Sequence, residues 1–479
     1  MAEVFARPGN AAGQRLAGDG KRGTGSRHLS RSLRAVLALG LVVLIGGGLN
    51  PCRPASAASA ASDARVVPAG KLDFEACVRL ALQQSPYLTK SSLEIDIRRM
   101  DESDSRYTMV PPVTFRSVYY VNHVNQVNQL GESFNAKPYS LSFSTDSYNP
   151  VGSYFTLQAQ KMATQIAVFA HLEIISQGLE RLGKMFLSLA AMQRLAVYQG
   201  NLIGLCRESL TYAENRQSIG TGTSLGVRVA NQELELAKNE QEHLTLSQKR
   251  SLTNLKTFLG LKPEQTVDLD LQDARRQVLG SFDPAAATLE QTKSRSYELK
   301  ALRLKEKMQG YNILLAKAKV FPSLFFTTQT PDPLSGNPNR GLYVGLGLEV
   351  PIWDGFKRIR NVSRQKTVLK QFNADRDLKE NDLTDKWNGL QQDLQGAAGT
   401  LKLAQSQEEL ARLKERQSEI RYHSGTQPLP AWLGGRNASI EAQKNVASKR
   451  LEYEQIILEL RQFSGDLGYS YVDQNSWKN

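Results

Sequence analysis

The sequence is poor in the residues that build disulfide frameworks and metal centres. Its 479 residues include only Cys52, Cys77, Cys206 and five scattered histidines. Thiols so far apart in a chain do not make a disulfide-stabilised fold. The sequence also has no Cys/His cluster and no H-E-x-x-H motif that would hold zinc. Because no catalytic constellation is present either, we expect a protein that is not an enzyme and needs no cofactor.

Long apolar runs are lacking everywhere except near the N-terminus. There, Lys21, Arg22 and three further arginines precede the run AVLALGLVVLIGGGL, and the A-x-A triplets 55–57 and 58–60 follow. This order predicts a cleaved secretory signal peptide over residues 1–57. The alternative is a membrane anchor, but the run falls short of the ~20 residues that a spanning helix needs. Lipidation of Cys52 is not favoured, because Asn50 and Pro51 replace the small residues of a lipoprotein signal.

Excess positive charge is concentrated in that N-terminal segment. Residues 1–57 hold eight Lys/Arg and two acidic residues, which is six charges of the net +13. The modest remainder is spread along the chain and is typical of a solvated surface. Together with the export signal, this distribution indicates a protein that does not bind nucleic acid. An exported protein without a spanning helix must be soluble, peripheral or a β-barrel.

The rest of the sequence contains a weak internal repeat. Arg216–Gly220 aligns with Arg421–Gly425 at an offset of 205 residues, and Ser85–Leu88 aligns with Ser296–Leu299 at an offset of 211. Their consistent order predicts a duplication. We divide the chain into a first repeat over 58–280, a second over 281–470 and a C-terminal tail over 471–479.

Each repeat is predicted to run helix, strand, strand, long helix, turn, long helix. The first helices cover about 72–107 and 287–319, and prolines at 111, 112 and 322 end them. Residues rich in β-branched and aromatic types predict strands at 113–121, 139–145 and 323–329. The fourth strand covers 342–350, where every even position is apolar and most odd positions are small or polar.

Heptad spacing predicts helices that pack side by side. The stretch from Phe356 to about Tyr422 has no proline, and a helix of that length would extend ~100 Å. Its seam is Leu383, Trp387, Leu390, Leu394, Ala397, Leu401 and Ala404. The helix after Gly220, predicted to be the partner, has the seam Val227, Ala230, Leu234, Ala237, Gln241, Leu244 and Gln248.

Four strands in one chain are too few for a closed membrane barrel, whose smallest examples have ~8. The strands therefore form a soluble sheet, or several chains share one barrel. The alternation in 342–350 suits both interpretations equally. The export signal and the long heptad helices favour the shared barrel.

These features together resemble the TolC-type outer-membrane efflux proteins of Gram-negative bacteria. The resemblance covers about residues 70–470 and rests on the duplicated element order and three motifs, 85–88, 350–355 and 421–425. It implies a homotrimer whose three chains pool four strands each into a twelve-stranded barrel in outer-membrane lipid, with a helical tube in the periplasm. It also implies a duct that exports substrates together with a periplasmic adaptor and an inner-membrane transporter.

The motif at 350–355 is expected to turn the chain from barrel to helix. Pro351 suits a strand end because it lacks an N–H, Trp353 belongs to the family's motif, and Asp354 can cap the next helix. Gly355 permits a sharp turn. The first repeat has SYNPVGSYF at the corresponding place and departs from this pattern.

The two hairpin tips, 216–226 and 421–435, are implied by the resemblance to form a gated periplasmic mouth. Arg421, Tyr422 and Gly425 match the family's Arg-Tyr-x-x-Gly pattern for adaptor docking and closure, whereas the first repeat matches only at Arg216 and Gly220. Both glycines also suit ordinary helix caps.

Two departures from the family concern the same tips. Gly226 and Ala431 stand where many members carry an aspartate, so an acidic gate is not expected here. The stretch TQPLPAWLGG (426–435) predicts a broken helix and an unusual loop. A different class of function stays open as well, a secreted coiled-coil adaptor or scaffold whose strands form a soluble sheet.

Overall fold

The computed structural model describes residues 71–119, 126–127, 133–134, 139–319, 321–329, 343–350 and 352–471. The expected signal peptide, Pro351 and all of the tail except Tyr471 lie outside these residues. The described chain is mostly helical and has two small antiparallel sheets, one of four strands and one of two strands. None of its helices combines the length and the apolar character needed to cross a bilayer.

The first half of the chain contains five helices and four strands. In order they are α1 (Phe74–Gln84), α2 (Pro86–Tyr107), β1 (Val113–Tyr119), β2 (Gln126–Val127), β3 (Ser133–Phe134), β4 (Tyr139–Thr145), α3 (Pro150–Ser218), α4 (Ser224–Phe258) and the short α5 (Ala274–Leu279). Of these, β4 has the bounds predicted from the sequence.

The second half presents a similar series. It contains α6 (Leu289–Arg295), α7 (Tyr297–Ala318), β5 (Ser323–Gln329), β6 (Tyr343–Glu349), α8 (Lys357–His423), α9 (Leu429–Phe463) and α10 (Asp466–Tyr471). The long helices α3 and α8 have 69 and 67 residues, and the helices that follow them have 35 residues each.

The first helix of each half is bent, whereas the sequence predicted one continuous helix in each. The breaks lie at Ser85 and Ser296, whose ψ angles of 120° and 118° are not helical. Pro86 disfavours the helical conformation at Ser85. At the second break, the Ser296 hydroxyl accepts a hydrogen bond from the Leu299 N–H at 3.3 Å and so caps α7.

A glycine from the end of a hairpin packs against each bend. Gly260 and Gly465 follow α4 and α9 with φ angles of +75° and +80°. A side chain at Gly260 would place its Cβ 2.4 Å from the Gln84 carbonyl oxygen, and one at Gly465 would lie 2.9 Å from the Arg295 Cβ. Both positions therefore require glycine for their conformation and for the close approach.

The sheet has the strand order β1-β4-β5-β6, and all its pairs are antiparallel. Strands β1 and β4 pair from Val113 with Thr145 to Tyr119 with Tyr139, and β5 and β6 pair from Ser323 with Glu349 to Gln329 with Tyr343. The two hairpins meet through Ser144 and Thr327. In the described chain, β1 and β6 are the edges of this sheet.

The main apolar core lies around the middle of α3. Leu182 and Phe186 are fully buried there, against Leu255 of α4 and Leu458 of α9. Gly183 allows α9 to approach closely, since a Cβ at that position would lie 2.7 Å from the Leu458 Cδ2. A smaller cluster nearer the hairpin turns contains Leu202, Leu205, Ala237, Leu433 and Ile440.

The two heptad seams are buried or half-buried, but they do not pack against each other. Leu383, Trp387 and Leu390 of α8 are buried, and so are Ala230, Leu234 and Ala237 of α4. However, α8 packs along α7 and α9, whereas α4 packs along α3. The predicted pairing was wrong because heptad spacing identifies the buried face of a helix and not the helix that covers it.

Candidate functional site

The sheet has one apolar face and one largely polar face. Because side chains alternate along a strand and the register aligns them across strands, the apolar face collects Val113, Phe115, Phe143, Leu324, Phe326, Val344, Leu346 and Leu348. Leu346 is 80% exposed, and most of the other members are exposed as well. The opposite face contains Thr114, Arg116, Ser142, Ser144, Ser323, Phe325, Thr327, Gly345, Gly347 and Glu349.

One glycine of the polar face lies directly under an aromatic ring. The Phe325 ring covers Gly347, its register partner, and a Cβ at Gly347 would lie 2.0 Å from the Phe325 Cζ. An alanine there would therefore displace the ring. The alternation of apolar and small residues that was evident in 342–350 thus has a packing reason on the polar side.

The strand-to-helix crossover in the second half is built by Asp354, Gly355 and Phe356. The Asp354 Oδ2 accepts a hydrogen bond from the Arg358 N–H at 3.1 Å, and Gly355 and Phe356 have φ angles of +63° and +62°. The Asp354 carboxylate therefore satisfies an N–H of the first turn of α8, although Phe356 occupies the N-cap position itself. Trp353 is 75% exposed and lies 5.1 Å from the Phe356 ring.

The corresponding strand-to-helix crossover in the first half is built from different residues. The Asn149 Oδ1 accepts a hydrogen bond from the Gly152 N–H at 2.9 Å, and Pro150 occupies the first helical position. The Asn149 side chain also donates to the Ala318 carbonyl at 2.8 Å. Ser147 donates to Glu349 across the sheet. An asparagine cap therefore stands here in place of the Trp-Asp-Gly segment.

The first hairpin turn covers 219–223 and ends α3 with a glycine cap. Gly220 has a φ of +74°, its N–H donates to the Gln217 carbonyl at 3.0 Å, and the Thr221 N–H donates to the Arg216 carbonyl at 2.9 Å. This pair of hydrogen bonds is a Schellman motif. The Arg216 guanidinium also donates to the Thr221 carbonyl at 2.8 Å. Thr223 caps α4 by accepting from the Gly226 N–H at 3.1 Å.

The second hairpin turn, 424–428, has the same cap. Gly425 has a φ of +73°, its N–H donates to the Tyr422 carbonyl, and the Thr426 N–H donates to the Arg421 carbonyl, both at 2.9 Å. Gly220 and Gly425 are therefore helix caps, which was one of the two roles left open by the sequence. The Arg421 side chain is exposed, while Tyr422 is partly buried.

The stretch 426–435 is not the unusual loop that the sequence predicted. Helix α9 begins at Leu429 and continues through both glycines. Pro430 is tolerated because it lies in the first turn, where its missing N–H would have no partner in the helix. Gly435 allows α9 to approach α8, since a Cβ there would lie 2.6 Å from the Ser418 Oγ.

An aromatic stack that the sequence did not reveal supports the second turn. The Trp432 indole stacks on the Tyr422 ring at 5.1 Å with an angle of 10° between the planes. The Arg436 guanidinium lies 5.4 Å from the centre of the Trp432 ring, within the range of a cation–π interaction. The indole N–H is buried, and no acceptor lies within reach in the described chain.

Arg436 also connects the second turn to the first hairpin. Its Nη1 lies 3.0 Å from the Glu208 Oε2 of α3, and its Nε lies 4.0 Å from the Glu415 Oε1 of α8. Glu208 and Arg436 are 228 residues apart in the sequence, so only the fold brings them together. The sequence shows only that these residues carry opposite charges, because it does not show which helices are neighbours.

A groove of about 740 Å³ separates the first turn from the start of α9. Its walls include Cys206, Arg216, Glu233, Leu433 and Gly434. Burial raises the pKa of the Cys206 thiol, and the nearby Glu233 and Glu240 carboxylates raise it further. The thiol is therefore protonated at neutral pH and is not an activated nucleophile. In the described residues, no group of His, Cys, Asp or Glu side chains is arranged to hold a metal ion.

This chain matches known proteins in its structure but not in its sequence. No family model matches the sequence, and no curated protein matches it. The solved structure of the outer-membrane channel OprN is 18% identical, with a TM-score of 0.70 over 82% of this chain and 89% of that one. The Campylobacter jejuni CmeC outer membrane channel is 14% identical, with a TM-score of 0.66 over 84% and 90%.

A third solved structure, the outer membrane protein VceC of Vibrio cholerae, is 10% identical and covers 82% of this chain and 96% of its own, with a TM-score of 0.66. This chain has the fold of these outer-membrane proteins. The resemblance to TolC-type proteins that the sequence predicted is thereby confirmed at the level of the fold. The roles assigned to the residues of the turns and the crossover stay predictions.

Proposed function

We propose that this chain is one protomer of a trimeric outer-membrane duct that exports substrates from the cell. The observation that carries the proposal is the sheet, which has one exposed apolar face and two open edges. Soluble monomers rarely expose so large a contiguous apolar patch. Unpaired strand edges in lipid would cost several kcal/mol for each unsatisfied group. Three copies, with four strands each, close a twelve-stranded barrel and remove both problems.

The two faces of the sheet match the two sides of such a barrel. The apolar face, with Phe115, Phe143 and Leu346, suits contact with lipid, while Arg116 and Glu349 on the other face suit a water-filled interior. A secreted scaffold with a soluble sheet would need a second layer over the apolar side chains. In the described chain these side chains stay exposed.

The helices support the periplasmic half of the duct. The 69 and 67 residues of α3 and α8 each correspond to ~100 Å of helix. The two halves contain a similar series of elements, which supports an internal duplication. They share glycine caps at Gly220 and Gly425 and bends at Ser85 and Ser296. We place the sheet in the outer membrane and the helices in the periplasm, reached through the signal peptide at 1–57.

The two hairpin turns are proposed to form the periplasmic mouth and its gate. Arg216 and Gly220 lie at the first turn, and Arg421, Tyr422 and Gly425 at the second, where an adaptor protein would dock. At the other end of the long helix, Pro351, Trp353, Asp354 and Gly355 join barrel and tube. The duct itself is passive and is not an enzyme, so an inner-membrane transporter supplies the energy for export.

Assembly in the outer membrane tests the proposal. Full-length protein, expressed in a Gram-negative host, should require detergent for extraction, migrate as a trimer and conduct ions in planar bilayers. Leu346→Arg places a charge on the apolar face, where it should cost about 2–4 kcal/mol in lipid and abolish assembly. Ser144→Arg places the same charge on the polar face and serves as the matched control.

The Ser144→Arg protein should still assemble into a trimer. A parent protein released as a monomer by salt or osmotic shock would contradict the duct. Equal assembly of the Leu346→Arg and Ser144→Arg proteins would contradict the assignment of the two faces.

A further inference from the structure

A strongly basic pocket lies where the sheet ends and α8 begins. It has a volume of about 810 Å³ and is lined by residues from the first crossover, the end of α7, the start of β5 and the first turns of α8. Five cationic side chains contribute to its walls: Lys319, Lys357, Arg358, Arg360 and Arg364. The crossover does not explain this concentration of charge, because Asp354 and Asn149 alone make the capping contacts there.

Carboxylates near the pocket are already engaged. The Asp354 Oδ2 lies 3.4 Å from the Arg358 Nε and also accepts the Arg358 N–H. Glu349 at the end of β6 accepts a hydrogen bond from Ser147. Within the described residues, no carboxylate lies within 4.0 Å of the charged groups of Lys319, Lys357, Arg360 or Arg364. Like charges held this close repel one another, so a bound anion would stabilise the arrangement.

Exposed apolar and aromatic side chains lie next to the pocket residues in the sequence, and one of them, Phe321, lines the pocket. Ile352 and Trp353 are 95% and 75% exposed, and Phe321 and Phe356 are exposed as well. Leu348 is the last member of the apolar face of the sheet at this end, directly before these residues. The surface therefore changes from aliphatic to aromatic to cationic over a short distance. Aromatic side chains prefer the boundary between lipid and water, and cationic ones attract anionic headgroups.

We infer that this pocket binds the phosphate group of an anionic phospholipid at the boundary where the sheet meets α8. The inference rests on the proposed location of the sheet in the outer membrane. Arginine side chains bind phosphate oxygens through paired N–H donors, and Arg360 and Arg364 are exposed and available for this contact. The bound lipid would fix the depth at which barrel and helices meet.

Lipid titration of the purified full-length trimer tests this inference. Delipidated protein in a non-ionic detergent is titrated with dihexanoyl phosphatidylglycerol, with dihexanoyl phosphatidylcholine and with inorganic phosphate, and bound lipid is counted by native mass spectrometry. Phosphatidylglycerol should bind at least tenfold more tightly than phosphatidylcholine. The double variant Arg360→Glu with Arg364→Glu should lose that preference.

The double variant Lys402→Glu with Lys414→Glu is the matched control, because it makes the same change of charge on exposed positions farther along α8. It should bind phosphatidylglycerol within twofold of the parent. Equal binding of both phospholipids, or unchanged binding by the Arg360/Arg364 variant, would overturn the inference. Saturation by inorganic phosphate at the same concentrations would show a free-phosphate site instead.

Conductance in bilayers of neutral lipid separates this inference from the proposed function. A parent protein that conducts but shows no preference for phosphatidylglycerol overturns the lipid site alone. A parent protein that neither trimerises nor conducts overturns the duct.

Discussion

The two hairpin turns share one backbone and differ in what surrounds it. In both, a Schellman motif places glycine in the left-handed region and uses the carbonyl of an arginine, Arg216 or Arg421, as its acceptor. The first turn is then closed by local hydrogen bonds of Arg216 and Thr223. The second turn is supported by Tyr422 and Trp432. Repetition of a backbone motif therefore does not imply that the two turns open equally easily.

The two turns also differ in their connections to the rest of the chain. Arg436, beside the aromatic stack, reaches Glu208 on α3, so the second turn is tied to the other hairpin of the same chain. The first turn faces the groove of about 740 Å³ that separates it from the start of α9. We expect the second turn to be the better fixed of the two, and substitutions at both turns can test this difference.

Removal of the Trp432 ring should have the largest effect. Trp432→Ala deletes a partly buried ring from the stack and should cost about 3 kcal/mol in the local opening of the second turn. Tyr212→Ala, which removes the ring beside Arg216 at the first turn, should cost only about 1 kcal/mol. Hydrogen exchange of the amides in 429–440 and 224–235 measures both.

Trp432→Phe is the control for this pair. It keeps an aromatic ring and removes an indole N–H that has no acceptor in the described chain, so protection should be nearly that of the parent. Equal losses of amide protection in the Trp432→Ala and Tyr212→Ala proteins would contradict the proposed difference between the turns.

The first turn has no room for a side chain at Gly222, and this steric restriction distinguishes it from the second turn. A Cβ at this position would lie 2.7 Å from the Gln217 nitrogen and 2.9 Å from the Arg216 carbonyl carbon, so the backbone must shift. Gly222→Ala should therefore destabilise the first turn by about 2 kcal/mol. The second turn has Gln427 two residues after its cap glycine, as the first has Gly222, and so already accommodates a side chain. Thermal unfolding and hydrogen exchange of 216–226 report the effect.

Gly226→Ala is the matched control four residues later. Its Cβ would meet the Thr223 Oγ1 at 3.4 Å, an ordinary contact, and alanine is the better helix former. This variant should be as stable as the parent or slightly more so. A loss as large as that of Gly222→Ala would show that the steric argument is incorrect.

The cap glycines should behave alike. A Cβ added at Gly220 or Gly425 would have no other atom within 4 Å in the described chain, so replacement by alanine carries only the conformational cost of a positive φ. Each substitution should cost about 1 kcal/mol in thermal stability of its own turn. A clearly larger loss at Gly425 would mean that the aromatic stack depends on the cap.

The Arg436–Glu208 contact should have the smallest effect. Both side chains are partly exposed, at 33% and 53%, so solvent screens the pair. A double-mutant cycle with Arg436→Met and Glu208→Gln should give a coupling of about 0.5 kcal/mol that disappears in high salt. In bilayers, the single Glu208→Gln variant should open more readily if this contact helps to hold the mouth closed. Coupling that is unaffected by salt would contradict an electrostatic origin.

Local patterns in the sequence were sufficient for the strands of the four-stranded sheet and for the long helices, but not for β2 and β3. Aromatic and β-branched residues predicted β5 at 323–329, and alternation predicted a strand at 342–350, close to β6 at Tyr343–Glu349. The absence of proline after Phe356 predicted α8 within about one residue at each end. These elements follow from periodicity and from prolines, which act over a few residues.

Contacts between distant segments could not be predicted in the same way. The bend at Ser296 had no proline to reveal it, and the reason for Gly465 becomes visible only when α9 meets Arg295. Similarly, the two prolines and two glycines near Trp432 indicate a loop, although Trp432 lies in the first turn of α9. The Arg436–Glu208 contact needed knowledge of which helices are neighbours.

The open edges of the sheet have a consequence for biogenesis. In a single chain, the edge strands β1 and β6 and the exposed apolar face of the sheet favour aggregation. If three chains share one barrel, as proposed above, a single chain must be protected by chaperones or assemble quickly. The yield of the proposed trimer should then rise more steeply than in proportion to expression, because three molecules must associate before all strand edges are paired.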